Sequence, residues 1–120
     1  MNWKSPPQDV IEMRRTALVE QAGSYDELRA LHAAIAARLA NPDTADARAL
    51  LDRAESQIAT WERGRTCSPI YIRVWRRILR EPGARLDRYI VRNHHDSAQA
   101  LMQNSPFSFL LASYRAGELG

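Results

Sequence analysis

Cysteine and lysine are nearly absent from this chain: Cys67 stands alone, and Lys4 is the one lysine among seventeen basic residues. A single thiol excludes an internal disulfide framework, and no cysteine–histidine spacing matches a zinc site. No apolar run approaches the roughly 18 residues that a membrane span needs. The opening Met1-Asn2-Trp3-Lys4-Ser5-Pro6-Pro7 lacks the apolar core of a secretory signal. Glycine-rich phosphate loops and Gly-x-Ser-x-Gly elbows are missing, as are strand-like alternation, internal repeats and low-complexity linkers. These absences make a cytoplasmic protein the expectation, with no membrane partner, cofactor or metal.

What is present favours helix. Alanine, leucine, arginine and glutamate dominate. Hydrophobic content of 45% and charged content of 26% suit a globular protein. A chain of 120 residues buries roughly two-thirds of its unfolded surface and holds one core unaided. The expected fold is all-α, a compact single-domain bundle of six to seven helices over residues 1–120, with 1–4 and 117–120 frayed.

Caps and breakers punctuate the helices. Ser5-Pro6-Pro7-Gln8 opens the first, whose stripe is Val10, Met13, Ala17 and Leu18, and Gly23 ends it. Ser24-Tyr25-Asp26-Glu27 is a second capping box, followed by Leu28, Leu31, Ile35 and Leu39 at helical spacing, with His32 at the edge of that stripe. After Asn41-Pro42 a third helix runs from Asp43 or Thr44 to Arg63, with Gly64 as its left-handed cap. The short connection predicts that these two helices pack as an antiparallel hairpin. Ser68-Pro69 opens a further helix that Pro82-Gly83 closes. A shorter one follows over residues 84–92, burying Leu86, Tyr89 and Ile90. Asp96-Ser97-Ala98-Gln99 caps a helix with Leu101 and Met102 inside, and Ser105-Pro106 starts the last.

The helix after Ser68 is the most strongly patterned. At 100° per residue, Ile70, Tyr71, Ile72, Val74, Trp75, Ile78 and Leu79 share an arc of about 200°, and Arg73, Arg76, Arg77 and Arg80 occupy the remainder. Arg85, Arg88 and Arg92 continue the series at spacings of three and four. Charge is segregated accordingly. Residues 1–60 hold seven basic against nine acidic side chains, a net of −2. Residues 61–92 hold nine arginines against Glu62, Glu81 and Asp87, a net of +6. Guanidinium forks suit phosphate and carboxylate oxygens alike. The expected role is therefore non-catalytic binding of an acidic protein surface or a nucleic acid by a small regulatory or accessory protein. The size suits a bacterial or phage protein, such as a component of a toxin–antitoxin or defence system. Phe107 and Phe109 lie 200° apart on a helix, so one of them is a candidate contact for a second copy of the chain.

Two short patterns point elsewhere. Ile58, Trp61, Glu62 and Gly64 resemble the end of the recognition helix of Xre-type helix-turn-helix repressors. That resemblance implies DNA binding, with Ser56, Gln57, Thr60 and Arg63 facing the groove. The family has a short turn just before this helix, whereas residues 50–57, Leu-Leu-Asp-Arg-Ala-Glu-Ser-Gln, contain no glycine, asparagine or proline. Arg88 and His94 are similar to the Arg-x4–6-His pair of HEPN ribonucleases. By that resemblance Arg88 holds the phosphate and His94 takes part in 2′-hydroxyl chemistry. The family's polar residue after the arginine is Tyr89 here. His94-His95-Asp96 reads as a solvated helix end, since adjacent side chains diverge by about 100°. Cys67 precedes a helix start, where the dipole lowers a thiol pKa.

Overall fold

Thr44, Ser68 and Pro69 begin helices as their chemistry predicts. The computed structural model describes residues 25–119, so the expected helix from Ser5 to Gly23, and Ser24 of the second capping box, lie outside the described residues. Within them run α1 (Tyr25–Arg38), α2 (Ala45–Gly64), α3 (Pro69–Leu79) and α4 (Pro82–Leu86). α4 continues into a π-helical turn, Asp87–Val91, and α5 (Asp96–Gln103) follows. A 3₁₀ turn, Ser108–Leu110, leads into α6 (Leu111–Arg115). No strand occurs among the described residues, and the protein is all-α. None of these helices is long and apolar enough to cross a membrane.

At the start of α2, the Thr44 hydroxyl accepts the Ala47 N–H at 3.1 Å. At its end the left-handed residue is Arg65 (φ 53°), one position beyond the expected Gly64. In α3, Ser68 Oγ accepts the Ile70 N–H at 3.4 Å and Pro69 occupies the first turn, where its missing N–H costs nothing. Ile72, Trp75, Ile78 and Leu79 are buried, as the periodicity demands, and Tyr71 and Val74 are half-buried. Ile70 departs from the expectation: it lies in the first turn of α3 and is 65% exposed.

The apolar stripe of α1 (Leu31 and Ile35, continued by Leu39) is fully buried, but not against α2. α1 packs chiefly on α4, the π turn and α5, while α2 packs on α3, so the predicted hairpin of α1 and α2 is not formed. Two long-range devices explain the choice. A Cβ on Gly83 would lie 2.9 Å from the Leu39 carbonyl oxygen and 3.1 Å from Ala40 Cα, so only glycine lets α4 approach this closely. Arg29 Nη1 donates to the carbonyls of Ile90, Val91 and Asn93 at 2.8, 2.8 and 2.9 Å. It supplies, from another helix, the donors that the end of the π turn lacks. Accordingly Pro82-Gly83 opens a helix as much as it closes one.

The chain end is also tied down. Gly117 is left-handed (φ 76°), and the Glu118 N–H returns to the Ser113 carbonyl at 2.9 Å. Leu119 is buried, and its carbonyl accepts from Arg38 Nε and Nη2 at 3.2 and 2.8 Å. Trp75 lies at the centre of the core, edge-on to Phe107 at 6.0 Å. Phe107 is fully buried and has no surface to offer a second chain. Phe109 is half-buried, with the Arg53 guanidinium 4.1 Å above its ring. Ser105-Pro106 makes a turn rather than a helix start, and Asp96 lies inside α5 behind His95.

Candidate anion-binding groove

Arginines three and four apart on a helix share a side, and α3 rises about 10 Å between positions 73 and 80. Arg73, Arg76, Arg77 and Arg80 line one wall of an open groove of about 910 Å³. The connection from α2 to α3 supplies Arg65, Thr66, Cys67 and Ser68, and the last turns of α2 supply Trp61 and Glu62. Ile72 and Pro69 complete the lining. Glu62 is the one carboxylate among the described lining residues.

Arg76 holds that carboxylate with two bonds, Nη1 to Oε2 at 2.7 Å and Nη2 to Oε1 at 3.1 Å. The hydrogen bond and then the charge of Arg76 keep Glu62 below the usual carboxylate range. Reciprocally, Arg76 is raised by Glu62, with a smaller contribution from Glu55. The pair is exposed and adds little stability, but it spans α2 and α3 and neutralises the acid. Arg65, Arg73, Arg77 and Arg80 have no carboxylate partner among the described residues.

The seven arginines expected to form one face are thus divided. Arg73, Arg76, Arg77 and Arg80 line the groove. Arg85 abuts it: Nε pairs with Glu81 Oε2 at 3.1 Å, and Nη1 donates to the Arg77 carbonyl at 2.7 Å. Arg92 pairs with Asp87 at 2.7 Å, and Arg88 has no carboxylate partner among the described residues; neither lines the groove. Trp61, Glu62 and the residues from Arg65 to Ser68 are lining residues that helical spacing on α3 does not reveal. For Arg65 the signal is the brevity of the segment between Gly64 and Pro69, which confines its residues to the corner between two helices.

The remaining candidates fall as follows. α2 is unbroken through residues 50–57, so the turn that a helix-turn-helix requires is not formed. The helix carrying Arg88 ends at Val91, and His94 lies beyond it, so Arg88 and His94 do not share a helix face. No group of three metal-ligating side chains forms among the described residues. Burial pushes the Cys67 thiol up, outweighing the lowering effect of its bond to the Ser68 backbone, so it stays protonated rather than becoming a thiolate.

His32 is not a boundary residue but part of the core, 1% exposed. Its Nδ1 lies 2.7 Å from the Leu28 carbonyl, which can only accept, so Nδ1 carries the proton. Nε2 then accepts from Ser105 Oγ at 2.8 Å, and Ser105 Oγ accepts the Phe107 N–H at 3.1 Å. Burial lowers the His32 pKa to about 4, against a smaller raising effect from the Leu28 carbonyl. The histidine–serine pair is sealed from solvent and joins α1 to the turn at Ser105. The chain matches no protein-family model, no curated protein and no solved structure.

Proposed function

We propose that this protein is a non-catalytic binding protein, of regulatory or accessory type, that engages an anionic partner through the groove between α2 and α3. The observation that supports this reading is the convergence of Arg65, Arg73, Arg77 and Arg80 on one concavity without carboxylate partners among the described residues. Elsewhere Arg38, Arg85, Arg92 and Arg115 each hold a carboxylate. Like charges at helical spacings of three and four cost the folded protein about 0.2–0.5 kcal/mol per pair. A bound anion relieves that repulsion. Clefts lined by one sign of charge also concentrate the opposite charge and speed encounter.

The test is binding of anionic probes, inorganic tripolyphosphate and polyglutamate, to the full chain between 50 and 200 mM salt. Affinity is expected to fall as salt rises. The double variant Arg73→Gln/Arg77→Gln should bind at least tenfold more weakly, about 1.4 kcal/mol. Arg88→Gln/Arg92→Gln should bind as the parent does. Equal losses from the two double variants would refute the assignment to the groove.

A further inference from the structure

We infer that the ligand of this groove is a nucleotide, with its base against Trp61 and its phosphates on Arg73, Arg77 and Arg80. The inference rests on the anion-binding reading above and adds the chemical class. Three observations carry it. The groove, at about 910 Å³, has the size of a small-molecule site. Broad docking of an acidic protein surface requires no such concavity.

Its lining is also divided by character. Trp61 comes from α2, Arg73 and Arg77 come from α3 and Arg80 from its C-cap, and Ile72 adds apolar surface between charged neighbours. A half-buried indole in a cationic groove offers a face on which any base can stack. Simple anion capture has no use for it.

Charge density gives the third argument. Among the described residues, Arg65, Arg73, Arg77 and Arg80 have no carboxylate partner around one cavity, while Arg76 is occupied by Glu62. A phosphate group brings up to two charges and three acceptor oxygens, which several guanidinium forks can share. A carboxylate side chain brings one charge and two oxygens. Clustered cations of this number suit a phosphate chain, either that of a free nucleotide or that of a short single strand.

The experiment uses the full chain carrying Trp3→Phe. Because Trp75 is fully buried, Trp61 then becomes the accessible fluorophore. ATP, GTP, inorganic tripolyphosphate, a single-stranded hexanucleotide and polyglutamate are titrated with emission and calorimetry as readouts. The nucleoside triphosphates or the hexanucleotide should quench Trp61 and bind about tenfold more tightly than tripolyphosphate. The tighter of the two identifies a free nucleotide or a strand as the source. Trp61→Leu should abolish the advantage over tripolyphosphate without changing tripolyphosphate affinity. Trp61→Phe, which keeps a ring, should retain most of it, and it decides the matter if the leucine variant unfolds.

Equal affinity for tripolyphosphate and nucleotide without quenching would overturn the nucleotide and leave the anion groove standing. So would tighter binding of polyglutamate than of any phosphate ligand. Failure of every probe to bind would remove both readings.

Discussion

Arg76 and Glu62 face each other across the corner between α2 and α3, joined by two hydrogen bonds of 2.7 and 3.1 Å. The pair leaves the groove with a net positive wall while keeping its one described acid in place. Glu62→Gln should therefore free the Arg76 guanidinium and raise the local potential. The expected outcome is anion binding a few-fold tighter, with a steeper dependence on salt, and a melting temperature almost unchanged because the pair is exposed. Titration with tripolyphosphate at two salt concentrations, alongside a thermal melt, checks both parts.

A second prediction comes from the core. His32 is held neutral, with a pKa of about 4 in the folded protein against 6.5 for the unperturbed side chain. Between these values the unfolded chain binds the proton and the folded chain does not, so stability rises with pH. The contribution is complete above pH 6.5 and is lost progressively as pH falls toward 4. The loss amounts to about 3 kcal/mol at one pKa unit per 1.36 kcal/mol. Urea unfolding at pH 7.5, 5.5 and 4.5 should show it. His32→Leu should be less stable at pH 7.5, because Ser105 loses its acceptor and the Leu28 carbonyl its donor, and should show a flatter dependence across the same window.

Gly83 supplies a prediction whose sign is diagnostic. It lies within α4, where replacing glycine by alanine ordinarily stabilises by up to about 1 kcal/mol. Here the new methyl would sit 2.9 Å from the Leu39 carbonyl oxygen and 3.1 Å from Ala40 Cα, both backbone atoms that cannot swing aside. Gly83→Ala should destabilise by about 1–3 kcal/mol, the usual range for forced overpacking. Chemical denaturation measures the sign directly. Stabilisation would mean that α4 does not approach the end of α1 as described.

Local chemistry made much of this structure legible in advance. Thr44 and Ser68-Pro69 mark helix starts because a cap acts on N–H groups only two or three residues away. The period of α3 exposes its arginines and buries Trp75 for the same reason. The partner of each apolar stripe was not legible. Leu31 and Ile35 give no sign of whether α2 or α4 covers them, and the answer depends on Gly83 and on an Arg29 side chain reaching carbonyls 61 to 64 positions away. His32 lies between Leu28 and Ile35 at spacings of four and three but read as an edge residue, because the partner that lets it be buried, Ser105, is 73 positions distant. For the groove, the arginine wall was readable and the concavity was not. The concavity is set by the turn at Arg65, whose backbone conformation has no side-chain signature.

That turn leads to a last prediction. Arg65 is the one described residue other than glycine with positive φ, at 53°, a region that crowds Cβ against the following carbonyl. Strain of this kind, about 1–2 kcal/mol, persists where neighbouring structure enforces it and gathers at functional sites. Arg65→Gly removes the crowding and leaves the turn intact, though glycine loses more chain entropy on folding. The net expectation is a gain of about 1 kcal/mol in stability with a severalfold loss in affinity for tripolyphosphate. Arg65→Asn, which tolerates the left-handed region better than most residues, should lose the same affinity with a smaller gain in stability. Opposite movement of stability and binding would identify Arg65 as held in an unfavourable conformation to present its charge. A glycine variant that binds as well as the parent would confine the site to the arginines of α3.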